Sequence, residues 1–156
     1  MHKLSNRYDD AIQCQEIRLD LIRSQHDRQA EVQVLNDLGR IYCSSALYDQ
    51  SLNCFDQQLT LSRDIDDIQG QGTAIIGLAN VYCSNDDFEL SLTMCDQYDE
   101  LAQDNIRHQA EVLLLRAQNQ LVLGDVQQSV AYAKQGVEAA HYYPILRAKS
   151  ASKLST

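Results

Sequence analysis

The sequence repeats itself with a step of about forty residues. Residues 38–43 (LGRIYC) return at 78–83 (LANVYC), and Tyr48 returns as Phe88. The same step taken backwards links Tyr48 to Tyr8. A period of roughly twenty to fifty residues is typical of stacked supersecondary units, because each unit leaves an apolar face that only a neighbouring unit covers. The chain is therefore predicted to be an array of such units.

Each unit is predicted to contain two amphipathic helices. Between residues 30 and 43 the apolar and small residues are spaced three, four and seven positions apart, which places them on one face of a helix. A second stripe follows after a short polar break and contains Leu52, Phe55 and Leu59. The whole chain has one proline, which argues against a fold rich in turns. We therefore expect an all-α solenoid of antiparallel helix pairs, with about seven or eight helices.

Small residues recur where the two helices of a unit are expected to cross. Gly39 inside a helix costs ~1 kcal/mol relative to alanine, a cost that only close packing offsets. A larger residue at Gly39 or Ser51 is predicted to push the pair apart. The predicted facing pairs are Gly39 with Ser51, Ala79 with Ser91, and Ala117 with Ser129.

The repeat divides the chain into five segments. Neither end carries the polar capping repeat that usually closes a solenoid. We therefore expect a fragment or shortened isoform of a longer array, or a chain whose ends dock on something else. The segments are a second helix without its first over 6–24, full units over 28–66, 68–104 and 106–141, and a further, incomplete helix over 144–156 that Pro144 opens.

Composition excludes several classes of function. The net charge of −9 argues against binding nucleic acid, whose phosphates require lysine and arginine. There is no apolar run of about 18 residues, which argues against membrane insertion, and residues 1–6 lack the apolar core of a signal peptide, so a cytoplasmic location is expected.

The five cysteines and four histidines do not have the spacing of metal ligands. Neither a metal nor a cofactor is therefore expected. Cys43 and Cys83 recur at one repeat position, which is open to two interpretations: a redox or metal pair, or duplication of a small, half-buried residue. The second is favoured, because equivalent positions on stacked helices lie ~10 Å or more apart, too far for a disulfide.

No pattern in the sequence indicates an enzyme. Residues 70–72 (GQG) do not form a phosphate-binding loop, because no strand precedes them and no Gly-Lys-Ser/Thr follows. The acidic pairs at 66–67 and 86–87 fall at turns, where helix capping explains them.

The pattern resembles the tetratricopeptide repeat (TPR) over about residues 8–141. Its departures are the absence of the family's helix-ending proline and the presence of Arg116 where Leu38 and Leu78 stand in the earlier units. Units of forty residues resemble those of the partner-of-inscuteable (G-protein-signalling modulator) polarity adaptors and rapsyn, and more loosely kinesin light chain. This resemblance implies a right-handed solenoid whose first helices line an inner groove. The residues that carry it are Leu38, Gly39, Tyr42, Tyr48, Ser51 and Phe55.

The resemblance also implies where a partner binds. An asparagine amide both donates and accepts, which suits a peptide backbone, and Arg40 suits a carboxylate. The clamp that binds chaperone C-termini in this family needs groove lysines, and none is present here. The predicted groove residues are Gln33, Asn36, Arg40, Thr73, Ile76, Asn80, Glu111, Leu114 and Gln118.

Three functions remain open at this point. The first is a non-catalytic scaffold or adaptor for a peptide or helical segment of a signalling or cytoskeletal protein. The second is a structural array that self-associates, or packs on the rest of a longer chain, through its uncapped ends. The third is an intramolecular regulator that masks a tail of its own chain.

Overall fold

The computed structural model describes residues 2–101 and 105–153, and the side chains of residues 7–101 and 105–141. The described residues contain no strand and form seven α-helices, which confirms the predicted all-α solenoid. The ends of the predicted unit 68–104 and of the predicted segment 144–156 lie partly outside the described residues. The helices are α1 (His2–Ser24), α2 (Arg28–Ser44), α3 (Tyr48–Asp64), α4 (Ile68–Ser84), α5 (Phe88–Glu100), α6 (Ile106–Val122) and α7 (Val126–Lys153).

Five of the connections use the same three-residue turn. In each, the middle residue has a left-handed backbone, and the amide of the next residue donates to a carbonyl five positions back. This pattern is the Schellman end of a helix, which reverses the chain within a few residues and so brings consecutive helices side by side. The left-handed residues are His26, Ala46, Asp66, Asp86 and Gly124, with φ of 55°, 58°, 54°, 63° and 92°.

The residue after the left-handed position caps the next helix in three of the five turns. The side-chain oxygens of Asp27, Asp67 and Asp125 each accept a hydrogen bond from the backbone amide three residues later, and Asn105 caps the start of α6 in the same way. Such caps satisfy amides that a helix leaves without an internal partner. Short polar turns therefore supply both the end of one helix and the start of the next.

The left-handed turns give a paired prediction. Replacing Ala46 by glycine removes the strain of a Cβ at φ 58° and should raise the free energy of unfolding by about 1 kcal/mol. Replacing Gly124 by alanine introduces the same strain at φ 92° and should lower it by a similar amount. Urea unfolding followed by circular dichroism measures both, and shifts of the same sign for the two variants would contradict this assignment.

The helices form two layers. Each of α2, α4 and α6 contacts the helices before and after it in the chain, and α2 also contacts α4, as α4 contacts α6. Among the described residues, α1, α3, α5 and α7 make no such contacts with one another. The first helices of the units therefore form a continuous inner layer, and the second helices pack against it from one side.

The predicted close crossings within the units are present. The hydroxyl of Ser51 donates to the carbonyl of Gly39 at 2.6 Å, and the same bond recurs in the other two units at 2.8 Å. All three serines are buried. Serine is small enough for two helix backbones to approach closely, and its buried hydroxyl donates to a backbone carbonyl on the facing helix. The two other pairs are Ser91 with Ala79 and Ser129 with Ala117.

Arg116, the residue at which the third unit departs from the repeat, links α6 to two neighbouring helices. It replaces a core leucine, and its guanidinium lies 2.6 Å from an Asp96 oxygen and 2.8 Å from an Asp99 oxygen. It also lies 5.9 Å from the centre of the Tyr132 ring. A single side chain on α6 therefore contacts both α5 and α7, through charge on one side and an aromatic face on the other.

The structure differs from the prediction at Pro144. A new helix was expected to open there, but α7 runs without a break from Val126 to Lys153. The three-residue turns end in residues such as Asp67 and Asp125, whereas residues 137–143 contain no Asp, Asn, Ser or Gly. Proline removes one helical hydrogen bond, but in the absence of turn and capping residues it did not end this helix.

Candidate inner-face binding site

A cavity of about 430 Å³ opens on the inner layer. It runs obliquely across three helices, from the carboxyl-terminal half of α2, over the middle and end of α4, to the first turns of α6. We call it the inner cavity. Its lining residues are Asn36, Arg40, Cys43, Ser44, Phe55, Thr73, Ile76, Gly77, Asn80, Ser84, Arg107, His108 and Glu111.

Phe55 reaches the inner cavity from the outer helix α3. Its ring is 1% exposed, and it extends towards the inner face between Gly39 of α2 and Gly77 of α4. A Cβ placed on Gly39 would lie 2.7 Å from the ring, and one on Gly77 only 2.4 Å from it. The two glycines therefore leave the space that the ring fills, and Phe55, Ile76 and Gly77 give the cavity an apolar floor.

The walls of the inner cavity are polar. Arg40 is exposed on α2, and Asn36 lies one turn before it. On α4, the amide nitrogen of Asn80 donates to the carbonyl of Ile76 at 3.0 Å. The hydroxyl of Thr73 accepts a hydrogen bond from the buried Gln58 at 2.8 Å. The cavity thus offers donors and acceptors above an apolar floor, a combination common in sites that bind peptides or small ligands.

His108 forms part of the wall on α6. Its ring packs edge-on against Tyr98 of α5 with the ring centres 6.0 Å apart, and its Nδ1 has no hydrogen-bond partner among the described residues. Burial lowers the pKa of His108, an effect that Glu111 opposes and Arg107 reinforces. The lowered pKa of His108 favours its neutral imidazole.

Six of the nine predicted groove residues line the inner cavity: Asn36, Arg40, Thr73, Ile76, Asn80 and Glu111. Gln33 lies on α2 about one turn before the cavity begins, and Gln118 lies on α6 beyond its other end. Leu114 is directed elsewhere, because its side chain approaches Gly136 of α7. These three residues lie outside because the cavity crosses the helices obliquely. The repeat alignment instead predicted groove residues at equivalent positions of every unit.

Seven lining residues are not among the nine predicted groove residues: Cys43, Ser44, Phe55, Gly77, Ser84, Arg107 and His108. Phe55 belongs to a second helix and was assigned to the core, where it also lies. Gly77 has no counterpart at the equivalent positions of the other units, Asp37 and Leu115. Arg107 and His108 precede the apolar stripe of their helix, so periodicity did not single them out. Only Gly77 carried a sequence signal, because a glycine that occurs in one unit alone can indicate a close contact specific to that unit.

The five cysteines have free thiols. Cys43 lines the inner cavity with its sulfur 4.0 Å from the hydroxyl of Ser84. The equivalent Cys83 is buried and belongs to the core. Repeat duplication therefore places the same residue type in two environments. Among the described residues no group of three or more His, Cys, Asp or Glu side chains is arranged to hold a metal ion.

Thiol reactivity is predicted to follow burial. At about pH 8 a thiol reagent should label the exposed Cys14 first and the half-buried Cys43 more slowly. The other three, Cys54, Cys83 and Cys95, should react only when the chain unfolds. Time-resolved labelling with mass spectrometry tests this order, and early labelling of Cys95 would contradict it.

The same cysteines predict a loss of stability in alkali. Burial raises the pKa of Cys54 and of Cys95 to about 11 from 9.0. A raised pKa in the folded state gives stability that is fully present below about pH 9 and is lost as the pH rises through about 11. Urea unfolding at several pH values should show this loss, and a variant with alanine at both positions should show less of it.

One stretch of the chain matches a known sequence family, and a solved structure resembles the fold. Residues 34–69, which extend from within α2 into the start of α4, match the sequence model of the tetratricopeptide repeat. Curated protein sequences gave no match. Among solved structures, the crystal structure of BtubC (BKLC) from P. vanneervenii is similar to this chain.

The similarity to BtubC concerns the fold. The TM-score is 0.74 at 14% sequence identity, over 89% of this chain and 59% of BtubC, so the chain spans little more than half the length of that protein. No described helix combines the length and apolar character needed to cross a membrane. The chain is an all-α solenoid, and its residues 34–69 match the sequence model of the tetratricopeptide repeat.

Proposed function

We propose that this chain is a non-catalytic adaptor that binds a peptide or helical segment of another protein in its inner cavity. One observation carries the proposal: residues from three successive first helices converge on one cavity, and six of them are the polar and apolar groove residues expected from the sequence. Tetratricopeptide repeats generally mediate protein–protein interaction, and this supports the same assignment.

The chemistry of the inner cavity suits a peptide. Asn36 and Asn80 offer amides that both donate to and accept from a peptide backbone, and they lie on different helices. The floor of Phe55, Ile76 and Gly77 suits an apolar side chain. A segment that presents one apolar and one polar face therefore fits best.

The class and location of the partner are also part of the proposal. We favour a signalling or cytoskeletal protein, because forty-residue units resemble those of the polarity adaptors and rapsyn. We favour the cytoplasm, since all five cysteines are free thiols and cysteines in oxidising compartments usually pair.

A pair of matched double variants tests the adaptor function. Replacing Arg40 by glutamate and Asn80 by alanine changes two cavity residues, and should weaken capture of a partner roughly tenfold or more. The control makes the same two changes at Arg63 and Asn53, which are exposed on α3 outside the cavity. Quantitative pull-down compares them after circular dichroism has shown equal helicity and melting. Equal capture by the two variants would reject the proposal.

A second candidate function is self-association through the terminal helices. Ile17 and Leu21 of α1 are 63% and 58% exposed, and Val126 and Val137 of α7 are 56% and 63% exposed. Among the described residues each of these helices packs against one neighbour, α2 or α6. Exposed apolar stripes on both end helices favour contact with another copy or with further chain.

Sedimentation over a range of concentrations tests self-association. Association should appear as a sedimentation coefficient that rises with concentration, and serine at Ile17 and Leu21 should reduce the rise. Serine at the two exposed leucines Leu90 and Leu114, outside the terminal helices, is the control. A monomer at every concentration would remove this candidate.

A further inference from the structure

The second helices of the units touch one another through opposite sides, as α1 and α3 show. Leu19 and Ile22 of α1 belong to one buried cluster with Cys54 of α3 and with residues of α2. The guanidinium of Arg23 on α1 also donates to the side-chain oxygen of Gln57 on α3 at 2.8 Å. Each second helix therefore has one side that faces the following unit and an opposite side that faces the preceding unit.

The side of α7 that would face a following unit is apolar and exposed. Ser51 of α3 and Ser129 of α7 make the same hydrogen bond to the first helix of their unit, which fixes how the two helices correspond. Counted from these serines, Leu59 corresponds to Val137, and the step of about forty residues makes Leu19 the equivalent residue of α1. Leu19 and Leu59 are 9% and 7% exposed, whereas Val137 is 63% exposed. Within the described part of the chain, this side of α7 is therefore uncovered.

The complementary side is uncovered on α1. Cys54 and Leu61 of α3 correspond to Cys14 and Leu21 of α1. Cys54 is buried, and Leu61 packs at the edge of the cluster that α3 shares with α1. Cys14 is exposed, in contrast, and Leu21 is 58% exposed. The uncovered sides of α7 and α1 are thus the two halves of a contact that the chain already makes between α1 and α3.

Charges beside the two uncovered sides also match. The hydrogen bond from Arg23 to Gln57 gives the stagger of α1 relative to α3. The same stagger, applied to α7 and to α1 of a second copy, brings Lys134 near Asp10, and both residues are exposed. An exposed pair of opposite charge adds little affinity, but it favours this alignment over one that brings like charges together.

We propose that copies of this chain associate head to tail, with Val137 and Ala140 on α7 of one copy packing against Cys14 and Leu21 on α1 of the next. The contact repeats the one between α1 and α3, so the two helices run in the same direction. This inference rests on the self-association candidate above and specifies its two faces. Because the faces differ, the contact does not close into a symmetric dimer, and every added copy leaves a face for another.

The contact between copies is expected to be weak. Within the chain, α2 contacts both α1 and α3 and so holds them together. No first helix takes that place between α7 and α1 of the next copy. The contact is therefore smaller than one between units, and we expect a Kd on the order of 100 µM.

Complementation between two blocked variants tests the inference. Leu21→Asp places a charge on the α1 face and Val137→Asp places one on the α7 face, both at exposed positions where circular dichroism should show unchanged folding. Each variant alone should sediment as a monomer at every concentration, because growth needs both faces. An equal mixture should form dimers and no larger species, because the intact α7 face of the first variant binds the intact α1 face of the second.

The matched control is Leu90→Asp, the same substitution at an exposed leucine on α5. This control and the wild type should grow past the dimer as the concentration rises to about ten times the Kd. If either blocked variant associates alone, or if the mixture stays monomeric while the wild type associates, the head-to-tail contact is wrong and self-association stands. A wild type that is monomeric throughout would remove both. The adaptor function is tested separately, since Arg40 and Asn80 lie on neither face.

Discussion

Replacing Phe55 by alanine should lower the free energy of unfolding by about 3–5 kcal/mol, the largest effect we expect from a single substitution. The ring is 1% exposed, and it lies in the core cluster that joins α3, α4, α5 and α6. Its removal leaves a void between two glycines that have no side chains to fill it. Urea unfolding followed by circular dichroism measures the change.

The chain offers a matched control for this substitution, because it contains two phenylalanines. Phe88 is only partly buried at the edge of the same core cluster, so Phe88→Ala removes an equal number of atoms from a more open position. Its cost should be clearly smaller, at about 1–2 kcal/mol, since truncation costs less where solvent or neighbours fill the space. Equal losses for the two variants would contradict the assignment of Phe55 as the central residue between the layers.

Replacing Gly77 by valine should cost about 3 kcal/mol for the opposite reason. A Cβ at this position would lie 2.4 Å from the Phe55 ring, and the ring has little space to retreat because Gly39 approaches it as well. Glycine is otherwise unfavourable within a helix, so a side chain at an unobstructed position would be expected to stabilise α4. The same urea experiment measures the loss.

A double-mutant cycle distinguishes crowding from other causes. In the Phe55→Ala background the ring is absent, so Gly77→Val should be neutral or stabilising as the new side chain enters the void. The coupling between the two positions should then be about 3 kcal/mol. Additive effects would show that Gly77 is required for another reason, and the description of the cavity floor would be wrong.

Most of the fold was predictable because it repeats. Equivalent residues such as Gly39 and Ala79 mark each helix crossing, and the hydrogen bond from Ser51 to Gly39 recurs in the other units. Polar turns mark the helix ends, because left-handed and capping positions favour particular residue types. Pro144 was misjudged because proline alone, without such a turn, does not end a helix here.

The inner cavity was only partly predictable, because its boundaries do not repeat. It depends on the Phe55 ring passing between Gly39 and Gly77, and Gly77 occurs in one unit only. Its oblique course brings in Arg107 from the first turn of α6 and leaves out Leu114 further along that helix. Which residues of different units meet in one cavity depends on how the helix layers stack. The period of the repeat alone does not specify that stacking.

Site-specific photo-crosslinking tests the central claim most directly. A benzophenone amino acid is placed at Asn36, inside the cavity, or at Asn53, exposed on α3 outside it, and the full chain is exposed to extract from its own cells. The account predicts that Asn36 crosslinks a segment of a partner protein, and that Asn53 does not. Crosslinking of the same segment from Asn53, or from neither position, would contradict it.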